Sequence, residues 1–205
     1  MKKTLVIHPT DPTTDFLKPI YVGRGFTEVR TDFQSDQLKA QIKNHDRVIM
    51  LGHGYHHGLL HYIKPVIDDS FVPLLKQKEL VGIWCFAKSF FDAHGLTGFH
   101  TDMFISEMQE AQVMGVEASL SEIDASNELF ANAVRNNLFD AKCLERVSEI
   151  YGKITTPVAR YNGIRLHHRK EGDPIIQCNT SNLQKYLADM TLCNDIIKNF
   201  FSSTK

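Results

Sequence analysis

The sequence predicts an α/β domain in three layers, with a mostly parallel sheet between two layers of helices. Two apolar runs carry that expectation, Val48-Ile49-Met50-Leu51 and Leu80-Val81-Gly82-Ile83. Neither alternates polar with apolar residues, which is the pattern of strands buried on both faces of a parallel sheet. The third observation is order along the chain: strand-length runs take turns with capped, amphipathic helical stretches, the pattern of βαβ crossovers. With 205 residues the chain is long enough for one domain with a full core. Residues 1–125 are expected to supply the sheet and residues 126–205 a mainly helical C-terminal part.

The elements follow in order. Thr4–His8 is a short strand, ended by Pro9 and the turn signal Asp11-Pro12. Phe16–Tyr21 reads as a helical turn, and the alternating Phe26–Arg30 as a second, more exposed strand. Ser35 is placed as the N-cap of a helix with Leu38 and Ile42 on its buried side. After the first apolar run, residues 59–70 read as an extended excursion or hairpin. A short helix at 71–79 tolerates Pro73 in its first turn. Beyond the second apolar run, Ala87–Gly95 is a helix closed by Gly95. Gly95 and Gly98 frame a turn, Thr101–Met114 is a further helix, and Val116–Leu120 a further strand. Two helices capped by Ser126 and Asp140 come next. Thr155–Asp173 reads as loop or short hairpin, its basic run Arg165–Lys170 as a solvated face, and Ser181–Phe201 as a last helix.

Composition excludes several classes. A hydrophobic share of 42% and a charged share of 23% belong to a soluble globular chain. The formal net charge of −1 provides no basic field for nucleic acid or an anionic membrane. No stretch approaches the ~20 apolar residues of a membrane span. The N-terminal apolar run is shorter than the ~7–15 residues of a signal-peptide core. The four cysteines (Cys85, Cys143, Cys178 and Cys193) form no CxxC and no disulfide framework, so reduced thiols in a cytoplasm are expected. No metal or cofactor is expected either.

The chemistry is concentrated where the two apolar runs end. The first closes on Gly52-His53-Gly54, the second on Trp84-Cys85. Ligands of open α/β sheets sit beyond the carboxyl ends of the strands. If the two strands are parallel neighbours, His53 and Cys85 emerge side by side, a thiol nucleophile with an imidazole to manage its proton. A strand ending in His-Gly followed by a strand ending in Cys resembles the caspase-like (clan CD) cysteine peptidases. That resemblance implies a caspase-like fold, His53 and Cys85 as a catalytic dyad, and the backbone amides of Gly54 and Cys85 as the oxyanion hole. It also implies a peptide or protein substrate. Trp84 stands where that family has a small residue, which gives weight to a second reading, a non-catalytic interaction module of caspase-like or flavodoxin-like fold. Asp68, Asp69 and Trp84 are the residues a substrate would meet, the two acids suiting a basic side chain. A third reading assigns His53, His56, His57 and His61 to a metal ion, although no HExxH or CxxC accompanies them. The spacing GxGxxxG at 52–58 echoes a dinucleotide-binding turn but lacks the helix such a turn must open.

Overall fold

Thr4–Ile7 forms β1, Thr27–Val29 β2, Arg47–Leu51 β3, Gly54–Tyr55 β4, Gly58–His61 β5, Lys64–Ile67 β6, Glu79–Ile83 β7, Gly98–Thr101 β8 and Leu166–Arg169 β9. The helices are α1 (Ser35–Lys43), α2 (Val72–Leu75), α3 (Ala87–His94), α4 (Met108–Val113), α5 (Leu120–Asn137), α6 (Cys143–Tyr151) and α7 (Pro157–Gly163). A 3-10 helix, Pro12–Ile20, follows β1. The computed structural model describes residues 2–31 and 34–176. The expected helix Ser181–Phe201, with Cys178 and Cys193, lies outside them.

The main sheet runs β2-β1-β3-β7-β8-β9. Its first five strands are parallel, and β9 adds antiparallel to β8. This is a doubly wound order, with its reversal between β1 and β3. Strand residues alternate between two cores, which is why neither apolar run alternates in sequence. Val6, Ile49, Leu51, Val81 and Ile83 pack under the 3-10 helix, α5, α6 and α7. Leu5, Ile7, Val48, Met50 and Leu80 pack under α1, α2 and α3. Each such side chain fully buried contributes about 1.5–3 kcal/mol. The result is a three-layer α/β/α domain, as the sequence predicts.

Between β3 and β7 the crossover consists of a small antiparallel sheet, β4-β5-β6, followed by the short α2. Several expectations need correction. The 98–101 segment is strand β8 rather than a turn, because its pairing to β7 buries Phe99, His100 and Thr101. Val116–Leu120 is not a strand; Ser119 caps α5 in a reciprocal box with Glu122. Ser126 is therefore inside α5, where its hydroxyl meets Tyr151 Oη at 3.2 Å. Helix 101–114 contracts to α4, since Asp102–Glu107 crosses the carboxyl edge of the sheet as irregular chain. Thr155–Asp173 holds α7 and β9, and the basic run closes the sheet edge with Arg169 buried. Its cue was hidden because LHHR pairs on one side only, with β8. The helical C-terminal part thus also supplies a strand.

Candidate active site

β3 and β7 are adjacent and parallel, with Leu51 opposite Ile83. Gly52 N–H donates to Ile83 O at 3.0 Å, carrying the ladder one residue further. His53 and Cys85 each lie two residues past those partners, so both leave the carboxyl edge at the same level. They line one narrow cleft with Thr14, Phe104, Ser106 and Glu110. Its cavity volume is about 20 Å³, room for a single water-sized group. The cleft adjoins the reversal point of the sheet, where ligands of doubly wound folds bind.

His53 is held by the loop after β1. Its Nε2 lies 2.6 Å from Thr13 Oγ1, which donates to Asp11 Oδ1 at 2.7 Å. Having given its one proton to the carboxylate, the hydroxyl accepts from Nε2–H. That leaves Nδ1 as the ring nitrogen able to take a proton. Asp11 Oδ2 stands 3.8 Å from Nε2, ready to pair with a charged ring. The loop is itself fixed by a buried network. Arg30 donates to Tyr21 Oη at 2.8 Å, and His8 bonds Tyr21 Oη at 2.9 Å and Thr14 Oγ1 at 3.1 Å. Thr14 donates to Asp11 O at 3.1 Å, so His8 presents Nε2–H to Thr14 and accepts from Tyr21. Burial, helped by Arg30, pulls the His8 pKa down to about 4, and the ring stays neutral.

Cys85 sits on a strand-turn-helix corner. Phe86, which follows it, has φ 67° and ψ 20°, a left-handed conformation that disfavours a bulky residue by about 1–2 kcal/mol. α3 begins at Ala87, so its positive N-terminal end lies beside the thiol. Thr101 Oγ1 donates to Trp84 O at 3.0 Å and fixes the corner from β8. Cys85 Sγ lies 3.7 Å from Glu110 Oε1 and 3.9 Å from Phe104 O, both within reach of its S–H. Glu110 is buried, and burial raises its pKa against the opposing pull of its Ser106 and Glu107 donors. Burial and the carboxylates of Glu110 and Asp11 push Glu107 up to about 7.

No protein-family model matches the chain. No curated protein matches it either. Among solved structures, the Trp repressor binding protein from Bacillus subtilis is similar, with 14% sequence identity and a TM-score of 0.39. The match covers 68% of this chain and 99% of that one. A likeness of that degree carries no functional argument.

Of the residues expected at the site, the fold brings His53 and Cys85 into the cleft, while Gly54 packs against Trp84. Gly54 is required by close approach: a Cβ there would lie 2.1 Å from Trp84 Cδ1 and 2.6 Å from Gly58 O. Leu60 N–H donates to His53 O at 2.8 Å, so by the alternation of the β4–β5 ladder the Gly54 amide points away from β5. Trp84 lines the cleft, but its indole is 2% exposed and packs on Phe90 and Phe91. Asp68 and Asp69 are not brought to the cleft. Asp68 caps a 3-10 turn through Ser70 N–H at 2.9 Å, and Asp69 pairs with His94 at 3.0 Å. The other histidines of the cluster meet separate rings, His56 on Phe86, His57 on Tyr55 and His61 on Tyr62. Among the described residues no three His, Cys, Asp or Glu side chains are grouped to hold a metal ion. Cys143 is buried, and burial pushes its thiol up to about 12.

Sequence reasoning missed Asp11, Thr13 and Glu110. Asp11-Pro12-Thr13 reads as turn chemistry, and nothing in the spacing says that β1 lies beside β3. Glu110 carried a local sign: Glu107 and Glu110 have the spacing of a helix N-cap and a residue reaching back to it. Two larger hollows, of about 330 and 320 Å³, lie at the amino ends of β7 and β8 and along β9. Neither holds Cys85 or His53. Volume and chemistry disagree, and chemistry decides the assignment.

Proposed function

We propose that the protein is a caspase-like cysteine peptidase or a related amide hydrolase, with Cys85 as nucleophile and His53 as its acid-base partner. The observation that carries this reading is that His53 and Cys85 leave adjacent parallel strands in register and enter one cleft. The order of the motifs, His-Gly then Cys, adds the resemblance to clan CD. Trp84 departs from that family, but its indole is taken up by the core against Gly54. The Asp11–Thr13–His53 chain supports a ring held in one orientation, and the strained corner at Phe86 supports a presented nucleophile.

In this mechanism sulfur attacks the scissile carbonyl carbon, and the carbonyl oxygen becomes an oxyanion met by the amides of Gly54 and Cys85. The thiol proton passes to the departing amine through the acid-base partner, and His53 later takes one from the water that releases the acyl group and returns it to the leaving sulfur. The cleft admits the carbonyl and little more, so substrate side chains lie outside it. Asp68 and Asp69 stand too far along the surface to join the cleft, and a role for them needs an extended peptide. No helix among the described residues is long and apolar enough to cross a membrane. Cys143 is a reduced thiol, which suits a reducing cytoplasm.

The test is covalent labelling followed by a substrate panel. Iodoacetamide near neutral pH should modify Cys85 well before Cys143, and His53→Ala should slow it. Peptides with basic, acidic and small P1 residues then define the substrate. The narrowness of the cleft favours one other reading, a non-catalytic interaction module. A Cys85 no more reactive than Cys143, with no peptide cleaved, selects it.

A further inference from the structure

We propose that Cys85 and Glu110 share a single proton, so that Glu110 rather than His53 takes the thiol proton as Cys85 attacks. The inference rests on the reading of Cys85 as the nucleophile. Cys85 Sγ–H has Phe104 O in reach at 3.9 Å and Glu110 Oε1 at 3.7 Å. A peptide carbonyl does not take up a proton at ordinary pH, whereas a carboxylate does. Glu110 is 2% exposed. Its other oxygen, Oε2, accepts from Ser106 N at 2.6 Å, Glu107 N at 3.1 Å and Ser106 Oγ at 3.0 Å. Those donors anchor one oxygen and aim the other at sulfur.

Charge favours this route. Passing the proton from Sγ to Oε1 moves one negative charge within the pair. Passing it to a neutral His53 creates two charges in a cleft with little water, against their desolvation. Burial also raises the Glu110 pKa towards that of a thiol, which brings donor and acceptor closer in strength. In the step itself the S–H proton goes to Oε1, the sulfur electron pair forms the S–C bond, and the C=O π pair becomes the oxyanion. Oε1 then gives that proton to the departing amine, and the thiolate that later leaves the acyl group takes the proton that His53 has drawn from the attacking water. The charged and titratable groups coupled to the pair are His53 and Glu107, which act on Glu110, and Tyr161, which acts on Cys85; behind them Asp11 acts on Glu107, and Arg165 and Asp102 act on Tyr161.

The experiment is the rate of Cys85 alkylation by iodoacetamide in the full chain, read on the Cys85 peptide by mass spectrometry from pH 4.5 to 9.5. Wild type, Glu110→Gln, Glu107→Gln and His53→Ala are compared. Two groups sharing one proton titrate as a pair. The wild-type rate should climb, flatten into a shoulder where it changes less than about threefold over two pH units, and climb again. In Glu110→Gln the shoulder should vanish, leaving about tenfold per pH unit up to one plateau. Glutamine keeps an amide oxygen for the three anchoring donors, so the start of α4 survives. Glu107→Gln and His53→Ala should keep the shoulder. If Glu110→Gln fails to fold, Glu110→Asp takes its place, since the shorter side chain draws the carboxylate away from sulfur and should remove the shoulder. A single-step wild-type profile, a shoulder that persists in Glu110→Gln, or one lost in His53→Ala overturns the proposal while leaving the nucleophile in place. A Cys85 that never outpaces N-acetylcysteine overturns the nucleophile reading and this proposal with it.

Discussion

The orientation of His53 depends on one hydroxyl. Thr13 Oγ1 links Asp11 Oδ1 at 2.7 Å to His53 Nε2 at 2.6 Å, and the direct Asp11–His53 approach is a longer 3.8 Å. Thr13→Val keeps the shape of the side chain and removes the link. A hydrogen bond of this kind contributes about 1 kcal/mol, which corresponds to roughly a fivefold effect on a rate that depends on it. Thr13→Val should therefore slow Cys85 alkylation at pH 7 by roughly fivefold, with the far-ultraviolet circular dichroism unchanged. Thr13→Ser should restore most of the rate. Equal rates in all three proteins would mean that the ring is held by something other than the loop after β1.

At the scale of elements, the site is a junction between the β4-β5-β6 hairpins and the β7–α3 corner. The indole of Trp84 fills the space left by the missing side chain of Gly54, and its Nε1–H donates to Tyr55 O at 3.3 Å. Gly95 closes α3 with φ 65°, as its place after the last helical residue predicts. Gly54→Ala drives a methyl into Trp84 and the Gly58 carbonyl, and overpacking of this kind costs about 1–3 kcal/mol. Urea denaturation should show a loss at the upper end of that range. Adding Trp84→Leu should recover part of it, so that the double variant is more stable than the two single losses sum to. Strict additivity would mean that the two elements relax independently of each other.

Over the whole molecule, burial sets the response to acid. His8 at about 4 and His100 at about 3 are both pulled below the ordinary histidine value, chiefly by burial. His100 stacks on Phe91 and His167, and its Nε2 has no hydrogen-bond partner among the described residues. The unfolded chain takes up these protons first on acidification. The stability they contribute is complete above about 6.5 and is lost as pH falls towards 4, by up to about 1.4 kcal/mol per pH unit for each group. Glu107 acts in the opposite sense, since its pKa is raised to about 7. Its contribution is present below about 4.5 and is lost as pH rises through 7. Glu107→Gln should therefore raise the urea midpoint at pH 8 and leave it nearly unchanged at pH 4.5. His100→Gln should make the acid limb shallower, whatever its overall stability. A variant with Gln at 107 that gains nothing at pH 8 would place that carboxyl in open solvent.

The sequence by itself determined the layers, the parallel core strands and the two residues at their tips. Those features are local: a strand buried on both faces must be apolar throughout, and a histidine or cysteine just past it must emerge at the edge. The sequence left β8 and β9 illegible because both are four residues long and are strands only through their pairing with each other and with β7. It left Asp11, Thr13 and Glu110 out of the site for the same reason. Asp11 and Thr13 reach His53 only because β1 lies beside β3 in the sheet, and Glu110 reaches Cys85 only because the chain after β8 folds back across the carboxyl edge. Hydrogen bonds between groups forty and twenty-five residues apart have no periodicity to announce them. The strand order that puts His53 and Cys85 in one cleft, and surrounds them with carboxylates, was decided by tertiary packing alone.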